Sequence, residues 1–389
     1  MDGSGDITLS AVSSIATVGQ AGWDAVANPP SRPYNPFVSF DFLDALEASG
    51  CVTPQTGWAP THLLAHNGDG ALVGAAPAYL KSHSYGEFVF DHAWADAYHR
   101  AGGRYYPKLQ CASPFTPATG PRLLVSPAVA DPAPVEAALA RGLQALAVRY
   151  KASSAHITFP TEGEWDRLGE AGWLQRTDQQ FHFHNPGYRD FDDFLDALAS
   201  RKRKNLRKER ATAQAGLEID RLTGADLKTK HWDAFFDFYE DTGARKWGSP
   251  YLNRDAFEEF HDRLADKIVL VLAREGDRPI AGALNFVGGE ALFGRYWGRA
   301  EERPCLHFEL CYYQAIDIAL ERGLKRVEAG AQGAHKLARG YAPARTYSAH
   351  WLADPAFSDA VADYLDHERE AVAEDIALLD GHTPFKKGD

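Results

Sequence analysis

Apolar and polar positions alternate along two stretches of this chain in nearly the same way. From Leu63 the sequence reads LLAHNGDGALVGAAP, two β-prone runs separated by Asn67-Gly68-Asp69-Gly70. Turn residues of that kind between apolar runs predict a β-hairpin, because glycine and asparagine accept the positive φ of a tight connection. The pattern returns at Val271 as VLAREGDRPIAGALN. At an offset of 208 residues, Leu64, Ala65, Gly68, Asp69, Gly74 and Ala75 match Leu272, Ala273, Gly276, Asp277, Gly282 and Ala283. After each hairpin come further strand, a polar loop, a run with helical spacing and another strand. The helices are expected over 135–150 and 306–322, and the strands over 155–159 and 325–329. Repetition of the order as well as the hairpin predicts a tandem duplication of one α/β unit, with a period too long for a solenoid. Antiparallel strands come first and a helix then crosses to a parallel partner. That implies mixed sheets covered by helices, not a doubly wound sheet.

The rest of the chain is read around this repeat. Residues 1–35 show little periodicity and lead into a proline-stiffened segment (Pro29, Pro30, Pro33, Pro36). A helix is expected over 39–47, with Gly50 as its stop. After the turn in HFHNPGY, one helix capped by Asp190 or Asp192 is expected to run to Gly216. Its section 201–210 holds seven basic residues and one acid. A helical pair interrupted by Arg245-Lys246-Trp247-Gly248-Ser249-Pro250 precedes the second hairpin, and an acidic helix fills 355–379. The expected boundaries are a first domain over 1–186, a second over 187–354 and a helical tail over 355–389.

Composition narrows the classes. A chain of 389 residues is long for one core, and 45% apolar residues with nine tryptophans can supply two. A formal net charge of −12 argues against a DNA-coating protein, so any anion must meet a local cluster. Cys51, Cys111, Cys305 and Cys311 lack CxxC spacing, which argues against a zinc ribbon or redox dithiol and for small buried thiols. The start, MDGSGDITLS, has no signal-peptide pattern, and no run of about 18 apolar residues predicts a membrane span. A cytoplasmic location is expected. There is no GxGxxG after a strand, no Walker loop and no GxSxG elbow, so dehydrogenase, kinase and serine-hydrolase readings lose support. His182-x-His184 lacks completing ligands, and no metal is expected.

Seven segments carry a family likeness: NPFVSFDFLDALEASG, DHAWADAYHRAGGRYYPKLQ, PFTPATGPRLL, RKRKNLRKER, KWGSPYL, LHFELCYYQAI and EAGAQGAHKLARGYAP. They lie between Asn35 and His350. With them the chain resembles the FemAB-like group of doubled GNAT-fold proteins, labelled peptidoglycan biosynthesis or recognition proteins. The resemblance implies an α/β fold of two tandem GNAT-like domains. It also implies transfer of an acyl or aminoacyl group to an amine, with aminoacyl-tRNA or an acyl-CoA as donor. Partners would be a small-molecule or peptide amine, and tRNA.

Within that frame Lys336 is the leading site residue, since the resemblance implies a lysine shortly before a glycine and an aromatic residue, as in His335-Lys336-Leu337-Ala338-Arg339-Gly340-Tyr341. A fixed cation stabilises the oxyanion of acyl transfer, and losing one such donor costs on the order of 10²–10³ in rate. His335 and Arg339 would share a face of a helical turn and hold an anionic group. Glu328, at the end of a buried strand, and Glu309, in a first helical turn, are the candidate bases, with Glu328 preferred. His307 is a further base or substrate contact. Arg295, Tyr296, Trp297, Gln332, Tyr341, Arg245 and Trp247 are read as substrate-binding, and Asp91, His92, Trp94 and Tyr98 as a matching polar and aromatic group in the first half. The segment 298–306 holds one early glycine, two acids and a proline, a poor cradle for a pyrophosphate. Arg203, Lys204, Arg207, Lys208 and Arg210 form a basic face that would dock a polyanion such as tRNA, unless the preceding aspartates neutralise it. Rival readings are an acyl-CoA-dependent N-acetyltransferase and a non-catalytic ligand-binding protein.

Overall fold

The computed structural model describes residues 6–246, 250–330 and 333–386. In chain order the elements are β1 (Thr8–Val12), α1 (Gln20–Ala27), α2 (Phe40–Ala48), β2 (Trp58–Pro60), β3 (His62–His66), β4 (Leu72–Ala76), β5 (Ala78–Lys81), α3 (His92–Arg100), β6 (Lys108–Cys111), β7 (Leu124–Val125), α4 (Ala133–Arg149), β8 (Ser154–Thr158), α5 (Glu162–Glu170) and β9 (Leu174–His184). There follow α6 (Phe191–Ala197), α7 (Ser200–Gln214), β10 (Glu218–Leu222), α8 (Thr229–Lys246), α9 (Arg254–Leu264), β11 (Ile268–Glu275), β12 (Arg278–Val287) and β13 (Ala291–Arg299). The last elements are α10 (Leu306–Phe308), α11 (Gln314–Glu321), β14 (Arg326–Glu328), β15 (Ala342–Leu352) and α12 (Pro355–Asp380).

The chain divides into two compact units: residues 1–178 with 345–373, and 179–344 with 374–389. The divisions fall inside β9, β15 and α12. Of the segment after residue 354, residues up to 373 belong to the first unit and 374–389 to the second.

The second unit has the simpler sheet, in the order β10-β11-β12-β13-β14-β9. β13 and β14 run parallel, and β14 and β9 antiparallel. The first unit carries the same sequence of pairings: β5 antiparallel to β6, β6 parallel to β8, β8 antiparallel to β15. Its hairpin β3–β4 belongs to a separate four-stranded sheet, β1-β3-β4-β7. The cause is Pro77, between β4 and β5. Proline has no N–H to continue a ladder, so the long strand that β12 keeps whole is cut there. At the 208-residue offset Pro77 corresponds to Asn285, and β12 shifts register between Leu284 and Asn285. Both hairpins also shift register at matching places, after Ala65 and after Ala273. Each hairpin sheet is covered by buried aliphatic residues. Leu63, Leu139, Leu143 and Ile157 do this in the first unit; Val271, Leu310, Ile316 and Val327 do it in the second.

Three expectations are corrected. Residues 6–35 are not weakly structured, because β1 adds an antiparallel edge to β3 and α1 buries Trp23 and Val26; residues 1–5 lie outside the described residues. The helix expected from Asp190 to Gly216 is two helices. Asp190 does cap the first, but Leu198 is extended (ψ 152°) and restarts the chain. The helix expected over 306–322 is interrupted by a π-helical turn over Glu309–Tyr313. Cys51 and Cys111 are buried as expected, whereas Cys305 and Cys311 are half-buried.

Candidate functional site

The segment after β14 turns inward through glycines. Gly330 and Gly333 have φ of +79° and +120°, and a 3-10 turn follows over Ala334–Arg339. Gly340, at φ +86°, ends it, and a Cβ there would lie 2.6 Å from the Phe194 ring, so this position requires glycine twice over. The turn buries Lys336 to 2% exposure. Its Nζ donates to the Gly330 carbonyl at 2.8 Å and stands 6.0 Å from the Tyr312 ring centroid. Burial pulls its pKa from 10.5 down to about 8, with Cys311 acting weakly the other way. At pH 7 it is still a cation, held where water does not screen it.

The π-helical turn widens the helix by one residue and aims Tyr312 and Tyr313 at this segment. Tyr312 Oη lies 2.8 Å from His335 Nε2, and Tyr313 donates to Glu209. His335 is exposed, and its rings of contact are Tyr312, Phe308 and His307. His307 in turn packs edge-on against Trp297 with centroids 5.1 Å apart. The result is a half-open patch of imidazole and aromatic faces beside Lys336. Burial lowers the pKa of His335, as do the nearby charges of Arg339 and Lys336, favouring a neutral ring.

Arg339 sits 3.4 Å over the Phe308 ring, forks onto Glu209 at 3.0 and 3.1 Å, and donates to the His335 carbonyl at 2.7 Å. In a 3-10 turn, with that charge already paired, Arg339 and His335 do not form the shared anion clamp expected from sequence. Tyr341 is fully buried and donates to the Tyr312 carbonyl at 3.3 Å, so it supports Tyr312 from the core instead of meeting a substrate.

The two candidate bases part company. Glu309 is fully buried, with Arg210 at 3.0 and 3.2 Å, Gln214 at 2.9 Å and Gln314 at 2.6 Å all donating to it. Its oxygens are committed, which suits an anchor and not a base. Glu328, 3% exposed, takes Arg326 on Oε1 at 2.9 Å. Its Oε2 makes no hydrogen bond among the described residues and lies 3.9 Å from His182 Nε2. His182 is lowered by burial first, raised by Glu328, and lowered by His184, Arg326 and Lys336, so these side chains share one electrostatic neighbourhood. On β13, Leu284 pairs with Tyr296 and Asn285 with Gly294, which leaves Arg295 as a bulge residue. Arg295 is half-buried and feels the Glu328 charge, while Tyr296 packs edge-on against Tyr239 of α8 at 5.2 Å. Trp247 and Gln332 lie outside the described residues, as does the side chain of Arg245.

The basic face of α7 is largely answered by acids. Arg203 pairs with Asp196 at 2.7 Å and Arg207 with Asp192 at 3.0 Å. Arg210 is drawn inward onto Glu309 and Asp317 and lies 4.2 Å over the Phe191 ring. Lys204 and Lys208 are exposed. Sequence reasoning missed Tyr312 and Phe308, whose only sequence signal was the aromatic run FELCYY, and Glu209, the single acid in the basic segment 201–210. It also missed Lys81 and Glu87 in the first unit, which stand in none of the family-like segments, and Lys108, which stands in one of them without having been singled out.

Two GNAT-like domains, each with a hairpin, a crossover helix and a parallel strand pair, define a tandem GNAT-fold protein. Residues 14–387 match the FemAB-like family, described as peptidoglycan biosynthesis/recognition, and the chain belongs to that family. Among solved structures it is similar to FemX, at 13% identity over 88% of this chain and 98% of that one, with a TM-score of 0.55. It is similar to L-PGS from Bacillus licheniformis at 10% identity, 86% and 98% coverage and a TM-score of 0.51. A tandem GNAT protein from the clavulanic acid biosynthesis pathway aligns at 14% identity, 90% and 99% coverage and a TM-score of 0.47. No match is found among curated proteins. Family membership supports a transferase-type function, and among the described residues no helix is long and apolar enough to cross a membrane.

Proposed function

We propose that this chain is an N-acyltransferase that moves an aminoacyl or acyl group from an activated ester to an amine of a cell-wall precursor, with Lys336 as the oxyanion-stabilising cation. The observation that carries this reading is the burial of Lys336 beside a half-open aromatic and imidazole patch; Glu328, buried with an oxygen that makes no hydrogen bond among the described residues, is the base assigned with it. In the reaction the amine nitrogen attacks the donor carbonyl carbon, and the carbonyl electrons move to oxygen, where the Lys336 ammonium faces them. The amine proton passes to Glu328 Oε2, the C–O bond to the leaving alcohol breaks, and that alkoxide takes a proton as the amide forms. Trp297, His307 and His335 offer flat faces for the donor.

An aminoacyl-tRNA donor is preferred to an acyl-CoA. The connection between β13 and α10 is tied by Arg278–Glu301 at 2.6 Å and Arg303–Glu275 at 2.9 Å, and Pro304 removes an N–H, which leaves little for a pyrophosphate to bind. The test is transfer of radiolabelled amino acid from a mixed aminoacyl-tRNA pool to peptidoglycan precursors, beside an acetyl-CoA arm. Transfer that falls about 10²–10³-fold in Lys336→Ala supports the proposal. Near-wild-type transfer in that variant refutes the oxyanion role, and micromolar CoA affinity by calorimetry would favour the acyl-CoA reading.

A further inference from the structure

The first unit holds a second concentration of charge that the proposed reaction does not use. Lys81, at the end of β5, and Lys108, at the start of β6, are both 0% exposed. They are cross-strand partners, so their side chains leave the same face of the sheet. Two ammonium groups placed side by side out of water repel strongly unless anions lie between them. The anions come from the segment over residues 82–91, which joins β5 to α3. Lys108 Nζ donates to Glu87 Oε2 at 2.6 Å, to Ser84 Oγ at 2.8 Å and to Asp91 Oδ2. Tyr105 Oη donates to that same Asp91 oxygen at 2.7 Å. Lys81 Nζ donates to the Tyr85 carbonyl at 3.2 Å and lies 3.5 Å over the Trp58 ring.

The two carboxylates are not held alike. Asp91 stands just before α3, and although burial opposes its ionisation, Lys108 holds it well below the usual carboxylate range. Glu87 bridges the lysines only in part. Its Oε1 lies 3.8 Å from Lys81 Nζ and makes no hydrogen bond, and Asp91 Oδ1 also lacks a partner, both among the described residues. Burial pushes the Glu87 carboxyl up and pulls Lys81 down, so this pair is held less firmly than Asp91 is by Lys108. The segment that carries Glu87 has no helix or strand of its own. Phe88 adopts φ +59°, a conformation aromatic residues rarely take, and Tyr85 and Phe90 are 65% and 51% exposed. It is a strap whose inner face is ionic and whose outer apolar side chains gain little by lying where they do.

We propose that Lys81 and Lys108, walled by Trp58, Tyr105 and Phe115, form a carboxylate-binding site in the first unit, occupied here by Glu87 as an internal stand-in that a carboxylate ligand displaces. A planar, singly charged group fits because the site already receives one: one oxygen on Lys108, the other turned to Lys81. A phosphate would bring a third oxygen and further negative charge toward Asp91, which stays in place. The aromatic walls, Trp58 against Phe115 at 5.2 Å and Tyr105 near Lys108, suit a carboxylate attached to an apolar or peptide stem. This site stands apart from the Lys336 reaction, so either assignment can fail without the other.

The test uses the full chain with propionate as probe, propionamide as the uncharged isostere and inorganic phosphate as the competing anion. Propionate, and not propionamide, should speed amide hydrogen exchange over residues 82–91 of the wild type. Glu87→Gln removes the competing carboxylate and should bind propionate about tenfold more tightly. Gly86→Ala keeps every charge but strains the closed strap, since Gly86 has φ +81° and a Cβ there would lie 2.6 Å from the Phe115 ring; it should shift affinity in the same direction. Unchanged exchange over 82–91 together with equal propionate affinity in wild type and both variants would overturn the proposal. Tighter binding of phosphate than of propionate would overturn the carboxylate assignment.

Discussion

Replacing Lys336 by methionine separates what this side chain costs the fold from what it does in the reaction. The two side chains are similar in length, and methionine carries no charge. Burial pulls Lys336 from 10.5 to about 8, a difference of about 2.5 pH units, which at about 1.36 kcal/mol each is about 3.4 kcal/mol. The unfolded chain keeps the proton up to 10.5, whereas the folded chain releases it near 8. Between those values the unfolded state binds more protons, so wild-type stability rises with pH. Below pH 8 the burial penalty is present in full, and above 10.5 it is gone. The methionine variant has nothing to titrate there. Urea unfolding of both proteins at pH 7, 8, 9 and 10 should therefore show the wild type gaining on the variant by about 2.5 kcal/mol by pH 10. Other titrating groups cancel in the comparison. At pH 7 the variant should be equally stable or slightly more so, because the relief of burial offsets loss of the bond to Gly330, about 1.5–3 kcal/mol for a charged donor. Transfer should still collapse. Parallel stability curves for the two proteins across this range would show that Lys336 is not desolvated, and the case for a dry oxyanion cation would go with it.

Arg210→Ala should destabilise the second unit by about 3–5 kcal/mol in urea titration, because, among the described residues, it removes the one charge paired with the fully buried Glu309, leaving it only Gln214 and Gln314, while Asp317 keeps Arg221. Arg207→Gln breaks only an exposed pair with Asp192 and should change stability by less than about 1 kcal/mol in the same assay. If tRNA binds α7, changing Lys204 and Lys208 to Gln should flatten the salt dependence of its affinity more than changing Arg210 does, read by filter binding at two salt concentrations. In the first unit, His156 and His350 face each other with Nδ1 atoms 2.7 Å apart, and burial pulls His156 down to about 3 and His350 well below its ordinary value. The unfolded chain takes up their protons from about 6.5 downward while the folded chain does not, so melting temperature should fall as pH drops from 6.5 toward 3. The fall should be shallower when both are changed to Asn.

The hairpins at Leu63 and Val271 were legible because their cause is local: a turn needs glycine or asparagine, and a half-buried strand needs alternation. The helix 135–150 and the strand 155–159 were legible for the same reason, and they appear as α4 and β8. The break at Leu198 and the π-helical turn at Glu309–Tyr313 were not. Each is imposed by what the segment packs against: Leu198 is fully buried with Phe194, and Tyr312 and Tyr313 reach His335 and Glu209. For the site, Lys336 came into view through its resemblance to a family pattern, while its burial and its tie to Gly330 came only with the folded chain.

Spacing along the sequence determines that this protein repeats one α/β unit, since turn residues and alternation act locally; the interruption of the long strand at Pro77 in the first copy came into view only with the sheets. Partnership between distant side chains is another matter. Glu309 reads in sequence as a first-turn carboxylate available to act as a base, and becomes an anchor only because Arg210 is brought to it from 99 residues away. Nothing in the sequence singles out Lys81 or Lys108, and they become buried cross-strand neighbours only because β5 and β6 pair. Burial and ionic pairing depend on which surfaces meet, and no local preference encodes that meeting, so the tertiary structure alone decides which charges are free to act.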